Sequence, residues 1–155
     1  MRSDEDWQSA LTWMILPVGR TWYRAVSKAF VDFGMSFSTA APILAIAKLG
    51  EGLHQNIIAD AIGVDTAALA RSVDQLQSLG LVERRMDLGD RRGRTLHLTE
   101  RGRSLAGELG VVAENLQRQA LKSVKAADGK AAVRAMRCLE RASDEILRAK
   151  EKREE

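Results

Sequence analysis

The chain has 155 residues, 45% hydrophobic and 29% charged, proportions that exclude a wholly disordered protein and set the expectation at one domain with appended helices. Its formal net charge of +3 is too small to announce a nucleic-acid partner by itself, and no apolar run approaches the roughly 20 residues that span a bilayer. The acidic, polar start from Met1 to Asp6 lacks a signal-peptide core, and the single cysteine, Cys138, excludes an intrachain disulfide framework, so a cytoplasmic protein without membrane contact is expected.

Across residues 7–33 apolar side chains recur at steps of three and four, through Leu11, Met14, Val18, Trp22, Val26 and Phe30, the pattern of a long amphipathic helix. Pro17 cannot donate to the carbonyl of Trp13, which predicts a kink or a break there, and Gly34 ends the helix. A second helix is expected after Ser38 or Thr39 as N-cap, with Pro42 in its first turn, running to Gly50. After a turn at 50–52, a short third helix over Gln55–Ile62 is closed by Gly63, and a fourth opens at Asp65 or Thr66 and closes at Gly80. Residues 81–86 and 95–98 carry strand formers on either side of a polar loop, which reads as a β-hairpin with a basic tip. Thr99 then caps a return to helix, whose apolar stripe is Leu105, Leu109, Val112, Leu116 and Ala120. A break is expected near Asp128 and Gly129, before a last stripe of Val133, Met136, Leu139, Ile146 and Leu147 and a charged tail from Lys150 to Glu155 that frays.

Two short helices joined by a glycine turn are the helix-turn-helix signal. Ile58, Ala59, Ile62, Gly63, Val64 and Leu69 supply its parts in order, with Ala59 at the closest approach and Gly63 at the left-handed turn. Ser72 stands where that pattern usually has another apolar residue, which leaves Val73 and Leu76 to anchor the second helix. If this fourth helix enters a major groove, its outward residues Thr66, Ala67, Ala68, Arg71 and Gln75 meet the bases. Arg71 and Gln75, four apart on one face, suit guanine and adenine edges, and the alanine methyls suit thymine methyls; the plain alternative is a solvent-exposed helix face. Between Arg84 and Arg94 stand five arginines, Arg84, Arg85, Arg91, Arg92 and Arg94, against Asp87 and Asp90, an excess equal to the whole chain's formal charge. Such a stretch is either a solvated turn or, directly behind a reading helix, a contact on the neighbouring minor groove.

Gly80, Leu81, Val82, Glu83 and Arg84 leading into Asp90, Arg91 and Arg92, then Leu96, His97, Leu98, Thr99, Glu100, Arg101 and Gly102, resemble the wing and following helix of the MarR family. With the helix order, the resemblance extends from about Leu11 to the C-terminus. It implies a mainly α fold with a small β-hairpin wing: a winged helix-turn-helix at 36–99, an N-terminal dimerisation helix at 1–35 and C-terminal dimerisation helices at 100–155. Arg92 would then insert into the minor groove with Asp90 orienting it, and Arg84, Arg91 and Arg94 would join the contacts to double-stranded DNA. The resemblance further implies a homodimeric repressor released from a pseudo-palindromic operator by a small aromatic or phenolic effector. The long apolar stripes at both ends agree with dimerisation, an intramolecular bundle being the alternative. An effector cleft would draw on Trp13, Trp22, Phe33, Met35 and Phe37, with Arg20 or Arg24 pairing a carboxylate; each aromatic serves equally as plain core.

Cys138, between Arg137 and Leu139, reads as a buried inert thiol, with a redox-responsive regulator as the alternative. His54 reads as a helix-start residue and His97 as a strand residue, neither with a carboxylate or thiol at ligand spacing, so no metal and no cofactor are expected. The absence of a glycine-rich phosphate loop, zinc spacing or a Ser, His and Asp set argues against an enzyme. A winged module that binds protein instead of DNA is the other alternative, and the clustered arginines argue against it.

Overall fold

The computed structural model of the protein describes residues 6–87, 89 and 94–154. Helix α1 spans Asp6–Ala29 and continues through Pro17 without a break. A short 3-10 turn, Val31–Phe33, ends on Gly34. Helix α2, Phe37–Leu49, starts earlier than the local sequence suggests. Ser36 is extended, its Oγ accepts from the Thr39 amide at 3.3 Å, and its carbonyl accepts from the Ala40 amide at 3.0 Å. The helix is therefore under way before Ser38 or Thr39 can cap it, and Pro42 falls in the second turn, where it is buried.

A two-residue strand β1, Leu53–His54, leads into α3, Gln55–Ile62, and α4, Thr66–Ser78. The hairpin is β2, Val82–Met86, with β3, Arg94–Leu98. The sheet has three strands rather than the two expected, in the order β1-β3-β2 and antiparallel throughout. Leu53 pairs with Leu96 and His54 with Thr95 on one side of β3, while Val82 to Met86 pair with Leu98 to Arg94 on the other. Helices α5, Glu100–Ala120, and α6, Ala126–Glu154, complete the chain. Of the expected wing tip, Asp90, Arg91 and Arg92 lie outside the described residues.

The chain divides into two units, residues 1–116 and 117–155. In the first, one apolar cluster joins α2, α3, α4 and the sheet through Ile43, Ile46, Ile58, Leu69, Val73, Leu76, Val82, Leu96 and Leu98, and takes in Ala106 of α5. Fully burying side chains of this size stabilises by about 1.5–3 kcal/mol each before entropy is counted. A second cluster forms around Val26, Phe30, Ala40 and Leu109, so the C-terminal half of α1 packs with α2 and α5.

In the second unit the helix break falls at 121–125, not at Asp128 and Gly129. The Gly129 amide donates to the Lys125 carbonyl at 3.0 Å, which puts both residues in the first turn of α6, where the Asp128 carboxylate favours the helix dipole. The helix extends through the charged tail to Glu154. Cys138 is exposed, which corrects the expectation of a buried thiol; the Arg141 guanidinium donates to its Sγ at 3.6 Å. Among the described residues no helix is long and apolar enough to cross a membrane.

In the first unit α5 begins close against the backbone at the end of α4. Thr99 Oγ1 accepts from the Gly102 amide at 3.0 Å, capping α5, and donates to the Gly80 carbonyl at 2.7 Å. A Cβ at position 102 would lie 2.0 Å from the Leu81 carbonyl oxygen. Gly102→Ala is therefore expected to destabilise the chain by about 2–3 kcal/mol, because backbone, not a flexible side chain, must move; a urea midpoint equal to that of the wild type would show that the contact yields cheaply.

Candidate nucleic-acid interface

The helix pair α3–α4 is built by two matching helix ends. Gly63 and Gly80 both take the left-handed conformation, at φ 70 and 67, which suits glycine because no Cβ clashes there. After α3 the Val64 amide reaches back to the Ala59 carbonyl at 3.1 Å and the Gly63 amide to Asp60 at 3.2 Å. After α4 the Leu81 amide reaches Leu76 at 2.9 Å and the Gly80 amide Gln77 at 3.0 Å. These are paired 6→1 and 5→2 closures that satisfy the last carbonyls of each helix and turn the chain sharply.

Asp65 caps the start of α4, its Oδ1 accepting from the Ala68 amide at 2.7 Å. Gln55, at the start of α3, donates from Nε2 to the Thr66 carbonyl at 3.2 Å and so ties the two helix starts together. Leu69, Val73 and Leu76 are buried, so the helix is anchored by Val73 and Leu76 despite Ser72, whose Oγ bonds back to the Ala68 carbonyl at 3.3 Å. This anchoring turns Thr66, Ala67, Arg71 and Gln75 outward, with Ala68 half-buried beside them.

The cations expected in the wing separate. Arg84 turns to α4 and is held by Asp74, and Arg85 pairs with Glu83 on its own strand, its Nε donating to Oε1 at 2.8 Å. Arg94 is exposed at the start of β3. The Gly89 amide donates to Asp87 Oδ1 at 2.8 Å at the entry to the tip.

Both histidines have carboxylate partners that sequence spacing does not reveal. His54 Nε2 lies 2.8 Å from Asp87 Oδ2, joining β1 to the end of β2. His97 Nδ1 lies 3.4 Å from Glu51 Oε2, and Arg103 of α5 lies 2.6 Å from Glu51 Oε1 and donates at 2.7 Å to the Leu98 carbonyl. Each partner is distant in sequence, so only the folded sheet brings them together. Among the described residues no group of three or more His, Cys, Asp or Glu is placed to hold a metal ion.

Trp22, Phe33, Met35 and Phe37 come together around the second apolar cluster. Phe37 meets the ring of Tyr23 edge-on at 5.5 Å. Phe33 and Met35 also line a cleft of about 380 Å³ with Gly34, Leu79, Leu81, Arg101, Ser104, Leu105 and Glu108. Trp13 is not part of this group; it stands 79% exposed on α1, and Arg20 and Arg24 are exposed on the same helix. The cation at the cleft is Arg101, whose Nη1 donates to the Leu79 carbonyl at 3.2 Å.

A buried helix pair with an outward second helix, followed by a small antiparallel sheet packed against it, defines a winged helix-turn-helix protein. Residues 33–93 match the family model of the MarR family. The same fold occurs in the transcriptional regulator BldR from Sulfolobus solfataricus, at 23% identity and a TM-score of 0.78, over 91% of this chain and 99% of that one. It occurs in a MarR-family transcriptional regulator from Rhodococcus sp. RHA1, at 23% identity and 0.71, over 90% and 95%. A mutant MarR from E. coli complexed with operator DNA shares it at 21% identity and 0.72, over 88% and 99%.

Burial pushes the Glu51 carboxyl up, but hydrogen bonds and charge from Arg103, and then from His97, outweigh it and hold the group below its ordinary value. A lowered folded value means stability that is present above the unfolded value and lost as pH falls through the folded one. With the side chain about one-third exposed, Glu51→Gln is expected to cost about 0.5–1 kcal/mol near neutrality. The gap should close as pH falls through the lowered folded value, below the ordinary carboxylate range. A gap that stays constant in urea unfolding over this range would show that the charge of Glu51 is not what stabilises the wing.

Proposed function

We propose that the protein is a sequence-specific DNA-binding transcriptional regulator that acts as a homodimer, and not an enzyme. The observation that carries this reading is the outward face of α4, where Thr66, Ala67, Arg71 and Gln75 are exposed while Leu69, Val73 and Leu76 hold the helix to the core. That a relative of the same fold is complexed with operator DNA supports it. In this reading Thr66, Ala67, Ala68, Arg71 and Gln75 meet base edges in the major groove. Asp90, Arg91, Arg92 and Arg94 form the wing contact on the adjacent minor groove.

Residues 1–35 and 100–155 supply the dimer interface. Unpartnered apolar side chains support this on two helices: Trp7, Trp13 and Leu16 are exposed on α1, and Val133, Met136, Ile146 and Leu147 on α6. So many large apolar groups are more than the scatter of an ordinary surface, and a two-fold pair of chains would cover them. The action is repression in the cytoplasm, relieved by a small organic anion. The cleft lined by Phe33, Met35 and Leu105, with Arg101 and Glu108 also at its wall, supports that last step with apolar side chains and one cation beside an acid.

Duplex DNA selected by the full chain from a random pool is the test. Affinity is expected to fall steeply with salt, with a log–log slope near −0.9 per phosphate neutralised. Arg92→Ala should flatten the slope by about one, whereas Arg71→Ala should cost about 1–3 kcal/mol and relax the preference at one base position. Salt-independent or absent binding would sink the DNA reading.

A further inference from the structure

Arg84 lies in β2 two residues after the buried Val82 and on the same side of the strand, the side that faces the helices. Its Nη1 is 2.6 Å from Asp74 Oδ1 and donates to Gln77 Oε1 at 2.9 Å, while Nη2 donates to the Ala70 carbonyl at 3.5 Å. Ala70, Asp74 and Gln77 follow the i, i+4, i+7 spacing, so one planar guanidinium spans two turns of α4 along a single stripe. The Arg84 side chain is only 19% exposed, against 66% for Asp74. Asp74 is the one acid in α4 and lies three residues, less than a turn, from Arg71, its one base.

We propose that Arg84 is a positioning residue for DNA recognition, which sets α4 against the wing strand and neutralises Asp74 beside the reading face. The proposal rests on the DNA reading above and deepens it. A free carboxylate at Asp74 would repel the phosphates that flank an inserted helix. With Nη1 engaged by Asp74 and Gln77, Nη2 by Ala70 and the side chain only 19% exposed, Arg84 could turn its bonded N–H groups to a phosphate only by giving up partners on α4. Its work is therefore done through Asp74 and the helix orientation.

The test uses the full chain and duplex selected by the wild type, with Arg84→Ala, Asp74→Ala, the double variant, and Arg84→Lys in both backgrounds. Arg84→Ala is expected to weaken binding about tenfold, and adding Asp74→Ala to recover most of that loss, a coupling expected of groups in direct contact. The salt slope of the double variant should equal that of the wild type. Arg84→Lys should outbind Arg84→Ala when Asp74 is present and match it when Asp74 is alanine, a comparison that stands even if one alanine variant folds poorly. Loss without rescue, a slope reduced by about one, and a benefit of lysine in both backgrounds are the signature of a direct phosphate contact and would overturn the proposal. A wild type that binds no duplex overturns the DNA reading and this role with it, whereas a wild type that binds without rescue overturns the positioning role alone.

Discussion

Leu81 is bonded through both of its backbone groups, and the arrangement of the first unit depends on it. Its amide closes the end of α4 on the Leu76 carbonyl, and its carbonyl accepts from the Thr99 amide at 3.1 Å. Its side chain is buried in the apolar cluster shared by α2, α3 and α4. The end of the outward helix, the start of the wing and the start of α5 are thus held at one residue. Gly102 lets α5 approach that carbonyl because it has no Cβ to meet it. A buried carbonyl with good partners resists displacement, since an unmade bond there carries the full desolvation penalty.

The far side of the sheet is held by different chemistry. The Gly52 amide donates to the Leu96 carbonyl at 3.0 Å, which carries Glu51 to His97 and Arg103, while His54 meets Asp87. The start of β2 is therefore held to α4 and α5 by backbone bonds and apolar packing, and the loop before β1 is held to β3 and α5 by ion pairs. The partly exposed pairs are individually weak, so they set the direction of the strands more than they stabilise the fold. Hydrophobic burial of Val82, Leu96 and Leu98 does the latter.

Most helix ends were legible because they depend on local chemistry. Gly63, Gly80 and Thr99 act through bonds to residues within a few positions, or through a conformation only glycine adopts freely. The misread ends were places where several local solutions compete. Ser36, Ser38 and Thr39 can all cap a helix, and the choice fell on Ser36, after which Phe37 packs against Tyr23. Asp128 and Gly129 look like breakers, yet an acid in a first helical turn is favourable and a glycine there costs only about 1 kcal/mol. Strand β1 was invisible because two residues carry no alternation; its pairing with Leu96 is a tertiary fact. The same holds for the partners of His54 and His97.

The arginines between Arg84 and Arg94 show why a charge count is not a charge distribution. Read along the chain they form one block, but a strand sends successive side chains to opposite faces. Arg84 accordingly turns inward to Asp74, and Arg85 is matched by Glu83 beside it. The excess counted over that stretch is thus partly spent within the protein, while acids outside the stretch, Asp74 and Glu83, complete the balance. The reverse holds for α4. It contains one acid and one base and looks neutral, but with Asp74 engaged by Arg84 its outward face presents the charge of Arg71 unopposed. The field that a polyanion would meet is set by these pairings, and the pairings are set by strand register and helix spacing.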